Sequence, residues 1–300
     1  MVDKRSEMGR EHWRSMTAAA RANPEQTPED VVARVERYWP GLTAEPGGVD
    51  YLEVEVAGCP AMWTVPKGSA EDPVLVWVYG GGWVSGSIYT HRKLLGHLAK
   101  RVGARALIVG YRQAPYPVPL EDTTAAYRWL LGQGIAPGRI AIGGDSFGAN
   151  LAVGTVLRAR ELELPVPAGL LLMSPWVDMT VGNETYESNR EREAFFYREV
   201  VEMLASAYLN GADPKDPLAS PVYADLSGLP PTYIQVGGDE TLLGEALQLD
   251  ENARAAGVDS RVEVFPGQLH TFQMAAGNVP ESDEAIRKLA AWVRPRLGLS

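Results

Sequence analysis

Gly144-Asp145-Ser146-Phe147-Gly148 follows directly on the apolar stretch Arg139-Ile140-Ala141-Ile142-Gly143. After it, the segment from Asn150 to Leu157 carries apolar residues at helical spacing, so the pattern predicts a strand, a sharp turn and a helix. Side chains at 144 and 148 would crowd that turn, whereas glycines let it lift the serine hydroxyl outward. Ser146 is therefore a candidate nucleophile. The alternative interpretation is an ordinary Gly/Ser turn between two core elements.

A second glycine-rich turn lies upstream of the serine. The stretch Val74-Leu75-Val76-Trp77-Val78 predicts a fully buried strand, and Tyr79-Gly80-Gly81-Gly82-Trp83 follows it. An acyl-transfer site needs backbone N–H groups aimed at the developing oxyanion, and a glycine run lets the backbone come that close. We expect the amides of Gly81, Gly82 and Phe147 to form this oxyanion hole. The alternative is a flexible loop that binds no ligand.

The two motifs resemble those of the α/β-hydrolases, and among them the hormone-sensitive-lipase-like esterases (bacterial family IV). Those esterases have His-Gly-Gly-Gly at the second motif, usually followed by an aromatic residue. This chain has Tyr79 in place of the histidine. Because the glycines supply the donors, the resemblance implies that the oxyanion hole survives, whereas the supporting hydrogen bonds of the histidine do not carry over.

Further segments follow in the order of that family, and the resemblance covers nearly all of residues 74–275. It implies an α/β-hydrolase fold: a mostly parallel sheet flanked by helices, with a helical cap. A narrower similarity is to the esterases and lactone hydrolases typified by monoterpene ε-lactone hydrolase. The segments are Tyr111-Arg112-Gln113-Ala114-Pro115, which has Gln for the family's Leu, Ser174-Pro175-Trp176, Asp216-Pro217 through Ser220-Pro221, Leu229-Pro230-Pro231 and Ala255-Ala256-Gly257.

His270 is the predicted general base. The α/β-hydrolase chain order is Ser, then Asp or Glu, then His, and His270 is the one histidine after Ser146. It lies in residues 262–272, which predict a strand and then a loop, and loops at the carboxyl ends of parallel strands are where function is expected. The other histidines are interpreted as helix-surface or packing residues, or have no evident role: His91, His97 and His12.

Asp239 is the predicted third member of the triad, where it would orient His270 and stabilise the imidazolium. It follows a predicted strand ending in Gly237-Gly238 and precedes a predicted helix. The resembled family has Asp-Glu-x-Leu at this place, which Asp239-Glu240-Thr241-Leu242 matches. Glu240 is the alternative acid. Asp239 would otherwise be only the N-cap of the following helix.

Composition excludes several classes of partner. Lysine and arginine number 28 against 38 acidic residues, a net charge of −10 with no basic stripe, which argues against nucleic acid or an anionic membrane. The single cysteine, Cys59, rules out an intramolecular disulfide and is interpreted as structural. We find no metal-ligand cluster, expect no cofactor, and see neither an apolar leader nor a membrane span. The simplest expectation is a cytoplasmic protein.

The chain divides into an N-terminal helical segment, residues 1–48, and a catalytic domain, residues 49–300, that opens with a β-hairpin at about 49–65. A helical insertion at about 179–217 interrupts the strand–helix order. In the resembled family these two helical regions pack together as a cap over the serine; the alternative is that the insertion simply packs on the sheet. The residues predicted to contact substrate are Tyr79, Trp83, Phe195 and Phe196.

The predicted function is hydrolysis of carboxylic esters or lactones of small to medium size, through a serine nucleophile and an acyl-enzyme. An amidase or thioesterase would use the same triad, and a ligand-binding receptor could be built on the same scaffold. The resembled family often dimerises through its last strand and helix, which implies a homodimer as one option. The apolar stripe within residues 283–299 is equally explained by packing on the sheet.

Overall fold

Strands and helices alternate along the chain after an N-terminal pair of helices. The structure, a computed structural model, describes residues 6–22 and 27–300. The strands are β1 (Val49–Val56), β2 (Cys59–Pro66), β3 (Ala70–Val78), β4 (Ala104–Val109), β5 (Ile140–Asp145), β6 (Gly169–Met173), β7 (Thr232–Gly237) and β8 (Ser260–Phe265). The helices are α1 (Ser6–Arg21), α2 (Pro28–Leu42), α3 (Ile88–Val102), α4 (Val118–Gly132), α5 (Phe147–Glu161), α6 (Thr185–Ser188), α7 (Arg198–Leu209), α8 (Leu243–Ala255) and α9 (Pro280–Arg296).

The strands form one sheet in the order β1-β2-β4-β3-β5-β6-β7-β8. The predicted hairpin, β1 and β2, is antiparallel and adds to β4, whereas the pairs from β4 to β8 are parallel. From β3 the chain first runs outward to β4 and then returns to β5 on the other side. Ligands bind where strand order reverses in this way. Val78 and Gly144 are paired there, so the loops after β3 and β5 leave the sheet side by side.

Helices cover both faces of the sheet, because successive side chains of a buried strand point to opposite sides. Along β3, Leu75 and Trp77 enter one core, which also holds the apolar faces of α3 and α9. Val74 and Val76 enter the second core with α4, α5 and α8. This two-sided burial explains why the strand shows an uninterrupted apolar run in the sequence.

The turn between β5 and α5 forces Ser146 into a left-handed backbone conformation, with φ of 54° and ψ of −123°. The amide of Ser146 donates to the carbonyl of Met173 at 2.9 Å, which ties the turn to β6. A Cβ atom at Gly148 would lie 2.6 Å from the carbonyl oxygen of Tyr79 and closer still to that of Val78. Only glycine allows α5 to begin this close to the end of β3.

The remaining helices lie over the carboxyl-terminal edge of the sheet. Helix α2 begins with a capping box formed by Thr27 and Asp30: each side chain accepts a hydrogen bond from the backbone N–H of the other residue. Helices α6 and α7 occupy the insertion predicted at 179–217. Residues 1–5 and 23–26 of the predicted N-terminal segment lie outside the described residues. The division into a cap and a catalytic domain stays a prediction.

The apolar stripe near the carboxyl terminus packs inside the molecule. Its members from α9, Ile286, Leu289 and Val293, are fully buried and belong to the core that α3 shares. Leu297 joins the same core. The stripe is therefore accounted for within one chain, and the homodimer stays a prediction.

Replacing Gly148 by alanine is expected to destabilise the protein by about 3 kcal/mol, because the added Cβ would press on the backbone at the end of β3. Gly132→Ala is the control: it lies at the end of α4, where a Cβ meets nothing within 4 Å, and alanine favours a helix. Thermal unfolding followed by circular dichroism compares the two. Equal melting temperatures for both variants would contradict this account of the turn.

Candidate active site

Ser146 and His270 meet at the carboxyl-terminal edge of the sheet. The Oγ atom of Ser146 and the Nε2 atom of His270 are 2.9 Å apart, and both residues are 4 % exposed. His270 lies on the loop after β8, and this loop is fixed because the amide of Thr271 donates to Oγ of Ser174 at 3.0 Å. The structure thus brings together the predicted nucleophile and the predicted base in hydrogen-bonding geometry.

The carboxylate beside His270 belongs to Glu240. Its Oε2 atom lies 3.8 Å from Nδ1 of His270 and accepts a hydrogen bond from Oγ of Ser174 at 2.8 Å. Glu240 is fully buried. Neither its Oε1 atom nor Nδ1 of His270 has a hydrogen-bond partner among the described residues. A small rotation of the carboxylate would pair these two orphaned groups, since a buried donor and a buried acceptor gain from meeting.

Asp239 is not beside the imidazole, which corrects the prediction that it orients His270. Its Oδ2 atom accepts from Arg10 of α1 at 3.0 Å, and its Oδ1 atom lies 3.5 Å from Nη1 of Arg192. The amide of Asp239 donates to the carbonyl of Gln268, which holds the backbone in place. Both acidic residues lie in the turn that follows β7, and their side chains leave it in different directions. The next residue, the alternative acid, therefore faces inward while Asp239 faces the arginines.

Burial and charge oppose each other at His270. Burial by itself lowers the pKa of the imidazole, but the Glu240 carboxylate more than compensates, with help from Glu193 and Asp145, so the pKa lies above its ordinary value. Burial also raises the pKa of Glu240, although His270 and Ser174 act in the other direction. The pair favours a proton on the ring, as a base that becomes an imidazolium requires.

Asp145 holds the turn between β5 and α5 in place through buried contacts. Its buried carboxylate accepts from Nε1 of Trp77 at 3.0 Å and lies 3.2 Å from Nε2 of His91. Burial alone would raise the pKa of Asp145, but His91, Trp77 and the amide of Gly80 overcome it and lower the pKa. These contacts join the serine turn to β3, to α3 and to the glycine loop.

The position of His91 settles an interpretation left open by the sequence. His91 is fully buried and shares a hydrogen bond with Thr90, so it is a packing residue rather than one at the helix surface. His97 bonds the carbonyl of Ala44 at 2.9 Å. The sequence signal for this network is the aspartate inside the serine pentapeptide.

The glycine loop after β3 has an unusual backbone: φ is 126° at Gly81, 61° at Gly82 and 63° at Trp83. A Cβ atom at Gly81 would lie 3.0 Å from the amide nitrogen of Gly86 and nearer to the carbonyl of Ser85. Gly81 and Gly82 share a cavity wall with Ser146 and His270. Phe147 is the first residue of α5, so its amide lies at the positive end of the helix dipole. The oxyanion hole itself stays a prediction.

Tyr79 lies behind the glycine loop, which corrects the prediction that it contacts the substrate. Its ring stacks on that of Tyr111 with 4.6 Å between centroids, and its side chain is not part of the cavity wall. Burial raises the pKa of the phenol to about 12. The hydroxyl of Tyr111 donates to the carbonyl of Tyr79 at 3.2 Å. The residue that replaces the family's histidine thus supports the loop from the core side.

A cavity of about 980 Å³ opens above the serine. Three predicted substrate contacts, Trp83, Phe195 and Phe196, line it together with apolar residues of α2 and α7. The indole N–H of Trp83 donates to the carbonyl of Leu204 at 3.0 Å, which joins the glycine loop to α7. A Cβ at Gly82 would lie 3.0 Å from the Leu204 side chain, so the two segments are in close contact.

The described residues, 6–22 and 27–300, contain no group of three or more histidine, cysteine or acidic side chains arranged to hold a metal ion. Within the same ranges, no helix combines the length and the apolar character that a membrane crossing requires.

Comparison with known proteins gives the family. The family model described as the alpha/beta hydrolase fold matches residues 75–274. The chain belongs to the α/β-hydrolase family. A crystal structure of an esterase from the bacterial hormone-sensitive lipase family superimposes on this α/β-hydrolase with a TM-score of 0.95, at 38% identity, covering 99% of this chain and all of the other. The predicted resemblance to hormone-sensitive-lipase-like esterases is confirmed, as is the fold.

Two curated relatives of this α/β-hydrolase carry names that describe an activity. An acetyl-hydrolase of Streptomyces hygroscopicus is 36% identical over 268 residues, which cover 88% of each chain. An esterase of Acinetobacter venetianus is 37% identical over 217 residues, which cover 71% of this chain and 72% of the relative.

We expect His91→Ala to lower the stability of this α/β-hydrolase by about 3 kcal/mol, because it removes one of the few partners of the buried Asp145 carboxylate. His97→Ala is the matched control from the same helix, since it removes one hydrogen bond at a half-buried site and should cost about 1 kcal/mol. Urea denaturation measures both. If the two variants lose the same stability, Asp145 does not depend on His91.

Proposed function

We propose that this protein hydrolyses carboxylic esters through a triad of Ser146, His270 and Glu240. The observation that carries the proposal is the 2.9 Å contact between Oγ of Ser146 and Nε2 of His270 at the wall of a large cavity. Glu240 lies on the other side of the imidazole, next to Nδ1. Relatives named esterase and acetyl-hydrolase support the same bond class.

The proposed reaction follows from these positions. His270 accepts the proton of Ser146 as the Oγ atom attacks the ester carbonyl, and the resulting imidazolium then protonates the leaving alkoxide. Water, deprotonated by His270 in turn, releases the acid from the acyl-enzyme. Glu240 orients the ring and stabilises its charged form, which agrees with the raised pKa of His270 beside that carboxylate. These steps need only groups that the protein itself supplies.

The oxyanion of the tetrahedral intermediate is assigned to the amides of Gly81, Gly82 and Phe147. Support comes from the position of the two glycines in the cavity wall beside Ser146, and from the start of α5 at Phe147. Preorganised backbone donors and a helix N-terminus stabilise negative charge where it develops. In this proposal Tyr79 contributes only by holding the loop from behind.

The substrate class is an uncharged ester of small to medium size. The wall next to Ser146 carries Trp83, Phe195 and Leu204, which favour apolar acyl or alcohol groups. A lactone presents the same carbonyl in a ring and would open by the same steps, so we include lactones among the proposed substrates. A panel of p-nitrophenyl esters of increasing acyl length, run beside simple lactones, defines the preference.

Ser146→Ala is expected to lower kcat by several orders of magnitude and to abolish labelling by a fluorophosphonate probe, because only the attacking oxygen is removed. The assay is hydrolysis of p-nitrophenyl acetate and butyrate, with mass spectrometry of the labelled peptide. Circular dichroism checks that the variant is folded. Near-native hydrolysis by Ser146→Ala would refute the proposed nucleophile.

The pH dependence of kcat/KM tests both the base, His270, and the acid, Glu240. kcat/KM should fall as the pH drops through the pKa of His270, since only neutral imidazole accepts the serine proton. Glu240 raises that pKa, so we expect the midpoint above about 6.5. In Glu240→Gln the largest of the effects that offset burial is lost, so the midpoint should move to lower pH while kcat falls about 10⁴-fold.

Asp239→Asn is the matched control for the acid. Its carboxylate makes partly exposed ion pairs and does not touch the ring, so kcat should stay within about tenfold and the midpoint should not move. Steady-state kinetics between pH 5 and pH 9 measure both variants. A larger loss in Asp239→Asn than in Glu240→Gln would return the role of the acid to Asp239.

A further inference from the structure

The ring of Phe196 lies flat against the imidazole of His270. The two ring planes are only 3° from parallel, and their centroids are 5.1 Å apart. Phe196 belongs to the helical insertion and lies between α6 and α7. The insertion therefore places one of its residues directly on the proposed base. It is 3 % exposed, so water reaches little of its surface.

Neighbouring contacts prevent this phenyl ring from turning away. The indole of Trp176 meets the ring of Phe196 edge-on, with 5.6 Å between centroids and 77° between planes. The carbonyl of Phe196 accepts from Oγ1 of Thr241 at 2.7 Å, and the preceding amide, that of Phe195, donates to Glu193 at 2.9 Å. The ring is therefore fixed in the free protein, before any substrate is present.

A fixed aromatic face beside a group that becomes a cation has an electrostatic effect. The face of a phenyl ring is negative, and a cation within about 6 Å of its centroid is attracted to it. In the reaction proposed above, His270 becomes an imidazolium when it takes the proton of Ser146. Parallel contact also restricts rotation of the imidazole, whose Nε2 atom must stay aligned with Oγ of Ser146.

We propose that Phe196 is a positioning residue for His270, which holds the imidazole plane and stabilises its protonated form through the aromatic face. The inference rests on the proposed function, because it gives His270 the role of general base. In this proposal the helical insertion takes part in proton transfer through Phe196, and it also lines the cavity.

The charged groups around His270 come from three segments and stay in place in the test. Glu240 follows β7, Glu193 belongs to the insertion, and Asp145 ends β5; all three raise the pKa of the ring. Burial lowers it. A substitution that keeps position 196 apolar and bulky leaves these effects nearly unchanged, so it isolates the contribution of the aromatic face.

The test is the titration of His270 in the substrate-free protein, followed by nuclear magnetic resonance of ¹⁵N-histidine-labelled samples. The His270 signals are those missing from His270→Asn. In Phe196→Leu the pKa should fall by about half a unit, which corresponds to about threefold, as expected for loss of a cation–π contact. Phe196→Tyr keeps the aromatic face and should restore the pKa of the unaltered protein.

Phe195→Leu is the matched control, because Phe195 lines the same cavity and packs on Trp13 and on Phe196, whereas the ring that stacks on His270 is that of Phe196. Its His270 pKa should equal that of the unaltered protein, whatever happens to KM. If Phe196→Leu does not fold, Phe196→Met removes the ring with a more adaptable side chain. An unchanged pKa in the folded Leu or Met variant, or an equal fall in Phe195→Leu, overturns the proposal.

Kinetics separate this proposal from the proposed function. In Phe196→Leu, kcat at saturating substrate should fall about threefold, and the acid limb of its pH profile should follow the lower pKa of His270. If the unaltered protein hydrolyses no ester, the proposed function fails, while the titration still reports whether Phe196 stabilises the imidazolium. If hydrolysis is found and the titrations of all variants coincide, only the role of Phe196 fails.

Discussion

The contact between Gly148 and the end of β3 is the constraint on which the site depends. It lets α5 begin directly behind the strand, and this in turn requires the residue before the helix, Ser146, to take a left-handed conformation. Strained backbone of this kind persists only where the surroundings over-determine it. Here the surroundings are the hydrogen bond from the Ser146 amide to Met173 of β6 and the contacts of the buried Asp145 carboxylate. The position of the serine at the cavity wall is thus a product of packing in the core beneath the turn.

Packing of the strands also explains how four loops and the insertion come to form one site. The loops after β3, β5, β7 and β8 leave the same edge of a parallel sheet, and the insertion with Phe196 covers them. Because β5, β7 and the second half of β3 are buried on both faces, the positions of their ends are set by core packing rather than by the loops themselves. Ser174, at the end of β6, bonds both Glu240 and the amide of Thr271, and so fixes the distance between the acid and the base.

The sequence predicted what depends on local pattern and glycine geometry. The strand before Ser146, the helix after it and the hairpin all follow from spacing, and the structure has them. The pattern could not decide between Asp239 and Glu240, because adjacent acidic residues differ only in the direction of their side chains. That direction depends on Arg10, which is 229 residues away in the chain. Nor could it place Tyr79 behind the loop, since this depends on stacking with Tyr111.

Through Asp239, the first helix has a structural role at the loops that carry Glu240 and His270. Arg10 of α1 bonds Asp239 and also the carbonyl of Gly267, so one guanidinium joins the loop that carries Glu240 to the loop that carries His270. Arg192 of the insertion approaches the same carboxylate from the other side. The amino-terminal helix therefore stabilises the loops that carry Glu240 and His270, and it is not a dispensable extension. Shortening the protein to the sheet and its flanking helices would leave Asp239 without Arg10, and would remove a side chain that joins those two loops.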